Sequence, residues 1–410
     1  MKDPLRLRSS LGRLEEIQRS SIILNPVENL PFAPDIAVAS GVTHGLYTSD
    51  KTRTPEQQLA TDAQVAGRGK MARDIRRVYK QWSQALGCAD VSMRVLSGLH
   101  AHIIMFMAMG RIGERVLLLP ERAGGHAATE GILQRLGFEV ISMAIDVERR
   151  CIDQDATLEL LDTRQPGYVF VDRSEGLEWE SFEWLTTAAN VPCIYDASQY
   201  LTNVLTGTHP SPFDLGFDYL VATTHKNFPG PQKALLATKE ADAKWKQLLG
   251  RVSGYVSNFH AFGVYAAGLT LSRTQFLHEY ADRILRNAVR LEQLLANNGV
   301  PVVARYADRL PTHHVWILAD TREHAFGMYR ALERARIYVN FRKLPYDLGF
   351  GLRLGTTMIS RLGIRDHELE QLAVLLRDAL NGTTPIQTRQ RVRKLAHSLW
   401  ERTEPAEPIA

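Results

Sequence analysis

Short apolar runs alternate with helical stretches between residues 90 and 240. The runs are rich in β-branched and aliphatic residues, and they comprise RVLLLP (115–120), FEVISM (138–143), YVFVD (168–172), PCIYD (192–196), YLVATT (219–224) and KALLAT (233–238). Near-continuous apolar runs are typical of strands that are covered on both faces. Strands separated by helices indicate a largely parallel, doubly wound α/β sheet, to which the last two runs could add an antiparallel edge.

A different pattern begins at the longest helix that the sequence predicts, Ser272 to Asn298. Ser272 and Gln275 have the spacing of a capping box, and Gly299 followed by Pro301 predicts the end of the helix. Beyond it, the strand-like segments HHVWILAD, YVNF and GLRLG alternate with two amphipathic helical segments. This alternation predicts a small C-terminal α+β domain.

The predicted domain organisation has five parts. They are an N-terminal arm (1–50), a large α/β domain (51–270), a long linking helix (271–300), a small C-terminal α+β domain (301–385), and a basic helix that ends in a frayed tail (386–410). The fold class that this order indicates is α/β, with a mostly parallel doubly wound sheet in the large domain.

Composition narrows the class of protein without giving a function. The 410 residues include 49 basic and 45 acidic residues, so the net charge of +4 is nearly balanced, and no basic stripe typical of nucleic-acid binding is present. No apolar run predicts a membrane span, and the N-terminus lacks the apolar core of a signal peptide. Three scattered cysteines fit a reducing compartment and form no zinc-binding pair. We therefore expect a cytoplasmic enzyme without a nucleic-acid, membrane or metal partner.

A lysine and an aspartate each lie at the end of a predicted buried strand. Lys226 ends FDYLVATTHK, and its amine could form a Schiff base, although it could equally be a surface lysine before a turn. Asp196 ends PCIYD, where a buried carboxylate could pair with the protonated pyridine nitrogen of pyridoxal phosphate (PLP) or could cap a helix. The 30 residues between them span about one βα unit plus a strand, so both should lie at the carboxyl edge of one sheet.

Three further segments carry candidate ligand contacts. Ser97 and Gly98 precede an apolar helix, where backbone N–H groups could bind a phosphate, although such a pair is often only a helix cap. His126 follows two glycines and could stack on a flat ligand, although a loop histidine commonly faces solvent. Arg353 in GFGLRLGTT could bind a carboxylate or form a structural salt bridge.

The order of these segments along the chain indicates one PLP site. On these motifs the sequence resembles serine hydroxymethyltransferase and its relatives, in the fold-type-I PLP superfamily, over about residues 20–381. The matching segments are SIILNPVENLPFAP for the N-terminal arm, GLYTSD for the substrate tyrosine, SGLHAH for the phosphate loop, GGH for the stacking histidine, DASQY for the ring-nitrogen aspartate, and TGTHPSPFDLGFDYLVATTHKNFPGP for the Schiff-base lysine. The resemblance implies an aspartate aminotransferase-like fold and a PLP cofactor.

The resemblance also implies a role for each candidate residue. It assigns catalytic roles to Lys226, His126, Asp196 and Tyr47. The implied cofactor-binding residues are Ser97, Gly98, His126, Ser174, Asp196, Gln199, Thr223, His225 and Lys226, and the implied substrate-binding residues are Arg353, Tyr47 and Ser49. Because the family's site is completed by a second subunit, the resemblance implies a homodimer with shared active sites, in which Tyr47 serves the neighbouring site.

Several positions depart from the family pattern, and some of them serve folate in the family. Ser49 occupies the position of a glutamate needed for folate-dependent transfer, and Asp50 is the nearest acid. The other departures replace family residues at matching positions: Val27 for a serine, Gln199 for a histidine, Asn258-Phe259 for a Gly-Gly pair, and Phe341-Arg342 for a lysine and a folate-contacting asparagine. The residues implied to bind PLP and the substrate carboxylate are kept, whereas those implied to serve folate are not.

These departures predict a PLP enzyme that acts at the Cα–Cβ bond of an amino acid without folate. We expect cleavage of a β-hydroxy-α-amino acid such as L-threonine or L-serine, and addition of the glycine-derived carbanion to an aldehyde co-substrate, as in the threonine transaldolases of specialised metabolism. The alternatives are a folate-dependent serine hydroxymethyltransferase whose acid is Asp50 or Glu56, a PLP-dependent aminotransferase or eliminase, and an inactive PLP-fold binding protein.

Overall fold

A seven-stranded sheet contains all six strands that the apolar runs predict. In the computed structural model, which describes residues 4–43, 46–61, 64–383 and 385–403, the strands lie in the order Asp90–Ser92, Ala234–Thr238, Tyr219–Thr223, Cys193–Asp196, Tyr168–Val171, Arg115–Leu118 and Glu139–Ser142. The last five of these strands are mutually parallel and largely buried, which confirms the doubly wound α/β fold.

The antiparallel strand Ala234–Thr238 does not form the edge of the sheet. It pairs with Tyr219–Thr223 on one side and with Asp90–Ser92 on the other, and both pairings are antiparallel. The edge position therefore belongs to Asp90–Ser92, a short strand that leads toward the turn at Ser97 and Gly98.

The described residues divide into two units, and the larger one contains the sheet. It comprises Leu30–Glu175 and Glu180–Ala281, and its helices are Ala33–Thr43, Pro55–Leu59, Gly69–Leu86, Gly98–Met109, Thr129–Arg135, Gln154–Arg164, Glu183–Ala188, Leu201–Leu205, Ala243–Tyr255 and Ala261–Leu271. A short antiparallel pair, Ile145–Asp146 with Cys151–Ile152, also belongs to it. Among the described helices of the chain, none is long and apolar enough to cross a bilayer.

The helix Gly69–Leu86 shows how the apolar pattern fixes packing in the larger unit. Its buried side chains recur every three to four residues and include Ile75, Tyr79 and Trp82, so one face of the helix packs into the core. Gly87 ends the helix in the left-handed conformation (φ +63°), which glycine adopts without steric strain.

The smaller unit consists of the described parts of Met1–Asn29, Gly176–Trp179 and Asp282–Ala410. Its antiparallel sheet has the order His314–Leu318, Phe350–Gly355, Asn340–Lys343, and a parallel pair joins Ile22–Ile23 to Ile337–Tyr338. Its helices are Pro4–Arg19, Arg322–Arg334, Thr357–Arg361, Asp366–Leu380 and Pro385–Thr403. The strands and helices that the C-terminal sequence pattern predicts are all present.

The long helix is observed at Thr274–Asn297, and the boundary between the two units falls within it. The predicted capping box is wrong, because the Ser272 hydroxyl donates a hydrogen bond to the Gly268 carbonyl oxygen of the preceding helix (3.0 Å). Gln275 instead donates to the Glu279 carboxylate one turn further along (3.1 Å). Ser272 therefore ends one helix and does not begin the next.

The basic C-terminal helix, Pro385–Thr403, packs within the smaller unit. Leu395 and Leu399 are buried, and Arg402 donates to both carboxylate oxygens of Glu368 at 2.7 and 2.8 Å. Such a bidentate pair, together with the buried face, fixes this helix in place. Residues 404–410, where the sequence predicts a frayed tail, lie outside the described residues.

Candidate active site

All nine residues predicted to bind the cofactor line one cavity of about 230 Å³ in the larger unit. The lining residues are Ser97, Gly98, Leu99, His102, His126, Asp172, Arg173, Ser174, Asp196, Ser198, Gln199, Thr223, His225, Lys226 and Gln232. The cavity lies at the carboxyl ends of the parallel strands, next to the point where the strand order reverses around Arg115–Leu118. Open α/β sheets bind their ligands at this position.

Ser97 and Gly98 form the turn at the start of the helix Gly98–Met109. The Ser97 side chain makes no capping hydrogen bond to this helix. A β-carbon on Gly98 would lie 2.8 Å from Thr223 Cγ2, so the helix can approach the strand this closely only with glycine at that position. The Thr223 hydroxyl is buried and has no hydrogen-bond partner among the described residues. Hydroxyls beside a helix N-terminus suit a phosphate.

The pair Gly124-Gly125 positions His126 by packing against another part of the chain. A β-carbon on Gly124 would lie 2.2 Å from the carbonyl oxygen of Glu175, and the N–H groups of Ser174 and Glu175 both donate to the Gly124 carbonyl (2.8 and 3.0 Å). These two glycines therefore serve a close contact with residues 173–175. Burial lowers the pKa of His126, so its imidazole is neutral near pH 7.

Asp196 is a buried carboxylate whose two oxygens are both held. Its Oδ1 accepts a hydrogen bond from the Ser198 N–H (2.7 Å), and its Oδ2 lies 2.6 Å from His102 Nε2. Burial acts to raise the pKa of Asp196, but the contacts with His102 and Ser198 and the charge of Lys226 outweigh it and lower the pKa to about 2. Asp196 is therefore ionised at neutral pH, which is the state that a protonated pyridine nitrogen requires.

His102, Asp172 and Thr129 were not predicted, although they connect directly to Asp196. The Thr129 hydroxyl donates to Asp172 Oδ2 and lies 3.3 Å from His102 Nδ1, and the same ring nitrogen is 3.9 Å from Asp172. All three side chains are buried. His102, Asp172 and Asp196 offer ligand atoms within 4.8 Å of one another, a grouping that could also hold a metal ion. The sequence carried two signals for them: His102 is a polar residue within an apolar helix, and Asp172 ends the apolar run YVFVD as Asp196 ends PCIYD.

Gln199 and His225 also line the cavity and carry buried polar atoms. Both amide atoms of Gln199 and the Nδ1 atom of His225 lack a hydrogen-bond partner within the described part of the chain. Burial, together with the neighbouring charge of Lys226, lowers the pKa of His225 to about 4. Buried polar atoms without a protein partner normally have a ligand or water as their partner, so this cavity has the properties of a ligand site.

Tyr47 and Ser49 are not among the residues that line this cavity. The Tyr47 side chain is 41% exposed, whereas the adjacent Thr48 is buried. The Thr48 N–H donates to Asn258 Oδ1 (3.1 Å), and the Thr48 hydroxyl accepts from the N–H of Ala261 (3.2 Å). The segment that carries Tyr47 and Ser49 is therefore anchored within the larger unit.

Asp50 belongs to a buried group of residues that we call the Arg94 cluster, which consists of Asp50, Tyr79, Arg94, Lys233 and Phe259. Arg94 donates to both oxygens of Asp50 (2.9 Å from Nε), and the Tyr79 hydroxyl donates to Asp50 at 3.3 Å. Lys233 donates to the carbonyl oxygen of Phe259. Burial, reinforced by the charge of Arg94, lowers the pKa of Lys233 to about 7.

In the smaller unit, Arg353 lies on the central strand Phe350–Gly355 and is 5% exposed. Its Nε and Nη2 atoms donate to the side-chain oxygen of Asn340 at 3.2 and 2.7 Å. Asn340 was not predicted, although it directly precedes the Phe341-Arg342 pair. It fixes the orientation of the guanidinium, and an oriented guanidinium is suited to bidentate binding of a carboxylate.

The chain is similar to known proteins over most of its length. A family model described as serine hydroxymethyltransferase matches residues 70–376. The serine hydroxymethyltransferase of Pyrobaculum calidifontis is 30% identical over 328 residues (77% of this chain and 76% of the relative), and that of Pyrobaculum neutrophilum is 30% identical over 386 residues (88% and 89%). A crystal structure of L-threonine transaldolase from Pseudomonas fluorescens, in its internal aldimine state, matches with a TM-score of 0.89 at 24% identity. This match covers 96% of this chain and 91% of the other, and it shows a shared fold.

Proposed function

The chain belongs to the serine hydroxymethyltransferase family, and we propose that it catalyses folate-independent transfer at the Cα–Cβ bond of a β-hydroxy-α-amino acid. The protein is a PLP-dependent enzyme of the transferase and aldolase type. In the proposed reaction, L-threonine and an aldehyde give acetaldehyde and a new β-hydroxy-α-amino acid. One carbon–carbon bond breaks and one forms, so the reaction balances without a one-carbon carrier. L-Serine is the alternative donor and would release formaldehyde.

The residues around the cavity fit PLP. When bound, PLP supplies an electron sink for the negative charge that develops at Cα of the substrate. We propose that Lys226 holds the cofactor as a Schiff base, that the turn at Ser97 and Gly98 binds its phosphate, and that Asp196 pairs with its pyridine nitrogen. In this arrangement His126 covers one face of the ring.

The remaining cavity residues supply hydrogen bonds to the cofactor in this proposal. Thr223 and Gln199 carry buried polar atoms that have no partner among the described residues. A phosphate or a ring hydroxyl would satisfy these atoms and remove the cost of burying them unpaired. Ser174 and His225 lie on the same cavity and contribute to the same binding surface.

Substrate binding falls to residues outside the cavity lining. We propose that Arg353, oriented by Asn340, binds the α-carboxylate of the amino acid. Tyr47 and Ser49 would act on substrate in a homodimer with shared active sites, where the exposed ring of Tyr47 serves the neighbouring subunit. The aldehyde co-substrate would then enter a site built by two chains.

The observation that carries the folate-independent proposal is the pairing of Asp50 with Arg94. The resemblance places Ser49 at the position of the family's glutamate, so a folate-dependent reaction would need Asp50 or Glu56 as its acid. Asp50 is committed to a buried ion pair with Arg94, and Glu56 is exposed in the first turn of the helix Pro55–Leu59. Releasing Asp50 would leave the Arg94 charge buried without its partner, which is costly. This supports transfer without folate.

Product analysis of the PLP-loaded enzyme tests the proposal. Incubated with L-threonine and a panel of aldehydes, without tetrahydrofolate, the enzyme is expected to form one β-hydroxy-α-amino acid for each acetaldehyde released. Mass spectrometry quantifies the amino acid, and a coupled reductase quantifies the acetaldehyde. Conversion of L-serine to glycine only when tetrahydrofolate is added would assign the protein to the folate-dependent alternative. A keto-acid product would assign it to transamination or elimination, and failure to take up PLP would indicate a binding protein.

A further inference from the structure

We propose that His102 is a positioning residue for Asp196, and that Thr129 and Asp172 hold His102 in place from its other side. We call these four side chains the His102 relay. Its inferred task is to keep the Asp196 carboxylate ionised and aligned on the pyridine nitrogen of the cofactor. The inference rests on the proposed role of Asp196 and extends it to three residues that do not contact the reacting atoms.

The buried contacts of the relay lead from Asp196 through His102 to Thr129 and Asp172. Asp196 Oδ2 lies 2.6 Å from His102 Nε2, and the other Asp196 oxygen is fixed by the Ser198 N–H at 2.7 Å. On the opposite edge of the imidazole, Nδ1 lies 3.3 Å from the Thr129 hydroxyl and 3.9 Å from Asp172. Both ring nitrogens therefore face a partner, and the ring cannot turn without losing both contacts.

The charges around His102 favour a cationic ring. Burial acts to lower the pKa of His102, and the charge of Lys226 acts in the same direction. Asp172 and Asp196 outweigh both effects, so the pKa of His102 is raised above its usual value. His126 also faces it, with the two ring centroids 6.5 Å apart. A protonated His102 ring, which donates from Nε2, keeps the buried Asp196 carboxylate ionised. A neutral amide side chain at the same position would stabilise the carboxylate less.

Packing fixes the relay to the phosphate-binding turn. The His102 ring makes an edge-to-face contact with Phe170, with ring centroids 5.0 Å apart, and both side chains are buried. His102 belongs to the helix Gly98–Met109, whose first residue forms the turn proposed to bind phosphate. One helix therefore positions the groups that meet both ends of the cofactor.

The test compares variants of the full-length protein in two measurements. The first is PLP affinity, and the second is the protonation of the pyridine nitrogen of bound ¹⁵N-labelled PLP, which is read from its NMR shift across neutral pH. His102→Leu removes the hydrogen bond and the charge, and we expect PLP affinity to fall by about tenfold or more and the nitrogen signal to move toward the deprotonated form. His102→Gln keeps a hydrogen bond without the charge and should lie between His102→Leu and the wild type. Met105→Leu, a buried change on the same helix, should match the wild type.

Thr129→Val is a further variant that tests the relay if His102→Leu does not fold. It removes one hydroxyl and should weaken PLP binding by about two- to threefold, with a small nitrogen shift in the same direction. Wild-type affinity and wild-type shifts in both His102→Gln and Thr129→Val would overturn the relay. So would a tightly bound metal ion whose removal by a chelator weakens PLP binding, because the cluster would then be a metal site.

Asp196→Asn separates failure of the relay from failure of the proposed role of Asp196. If Asp196→Asn deprotonates the pyridine nitrogen but the His102 variants do not, Asp196 has its proposed role and the relay is wrong. If Asp196→Asn leaves the nitrogen signal unchanged, Asp196 does not pair with the cofactor, and both the assigned role and the relay fail.

Discussion

Two of the places where the larger unit buries charged side chains differ in what balances the charge. The His102 relay has two carboxylates, Asp172 and Asp196, around one imidazole. The Arg94 cluster has two basic side chains, Arg94 and Lys233, near one carboxylate, Asp50. A buried excess of either sign is costly unless something nearby compensates for it.

In the Arg94 cluster the chain itself supplies the compensation. Arg94 donates to the carbonyl oxygen of Val256 (3.0 Å), Lys233 donates to that of Phe259, and the two cations lie 4.9 and 5.5 Å from the centre of the Phe259 ring. The cavity next to the relay instead keeps buried polar atoms without partners among the described residues, at Thr223 and Gln199. The unsatisfied polar atoms therefore distinguish the cavity beside the relay, which has the properties of a ligand site, from the Arg94 cluster, which does not.

Lys226→Ala should have the largest effect on activity, and it should affect the cavity beside the His102 relay but not the Arg94 cluster. We expect turnover to fall by about 10³-fold or more, because the covalent attachment of the cofactor is lost. The visible absorption of bound PLP should disappear after gel filtration, while the unfolding free energy of the apoprotein changes by less than about 1 kcal/mol. Lys239→Ala, at an exposed lysine, should behave as wild type. Substantial turnover by Lys226→Ala would remove Lys226 from its proposed role.

Asp50→Asn should have the opposite effect to Lys226→Ala, because it should lower stability and leave cofactor binding nearly unchanged. It leaves the buried Arg94 charge without its partner, so the unfolding free energy should fall by about 3 kcal/mol. Cofactor affinity of the folded protein should stay within about twofold of wild type. Denaturant unfolding and PLP titration measure the two quantities. Asp74→Asn is the matched control, because Asp74 pairs with Lys70 and Arg77 at the surface and should cost less than about 1 kcal/mol. Equal losses of unfolding free energy in Asp50→Asn and Asp74→Asn would show that the buried Asp50–Arg94 pair is no more important for stability than a surface pair.

Lys233→Met should change how stability depends on pH. The pKa of Lys233 is about 7 in the folded chain and about 10.4 when unfolded, so between these values the unfolded chain binds a proton that the folded chain does not. This lysine therefore makes the unfolding free energy rise with pH in that window, by up to about 1.4 kcal/mol per pH unit. Lys233→Met should remove that contribution, as measured by urea unfolding at several pH values. Lys239→Met should keep the wild-type slope, and an unchanged slope in Lys233→Met would place its charge outside the core.

The strands and the residues at their carboxyl ends were predictable because both signals are local. An apolar run followed by a polar residue gives the strand and the position of that residue together, as for Asp196 and Lys226. Ser272 shows the limit of a local pattern. A serine between two helices can end the first or begin the second, and its hydrogen bond to Gly268 decides for the first.

The contacts that join His102, Thr129 and Asp172 to Asp196 could not be predicted, because they form between residues that are distant in the sequence. His102 meets Asp196 across 94 residues of sequence. In GLHAHIIMFMAM, His100 and His102 have nearly the same local surroundings. Only the fold separates them, because it brings His102 to Asp196 and brings the His100 ring to the N–H of Leu96 (2.9 Å). The pairing of Asp50 with Arg94 was missed for the same physical reason.

The strand order has a consequence for how the enzyme is made. The first strand of the sheet to leave the ribosome, Asp90–Ser92, lies at the edge and pairs with the last one, Ala234–Thr238. The edge strand therefore cannot pair until every strand of the sheet has been synthesised, and the turn at Gly98, which follows it, packs on Thr223 of the strand made just before the last. We therefore expect pairing of the edge strand and packing of the turn proposed to bind phosphate to be late events in folding, so that the proposed cofactor site is completed only after the rest of the sheet has been synthesised.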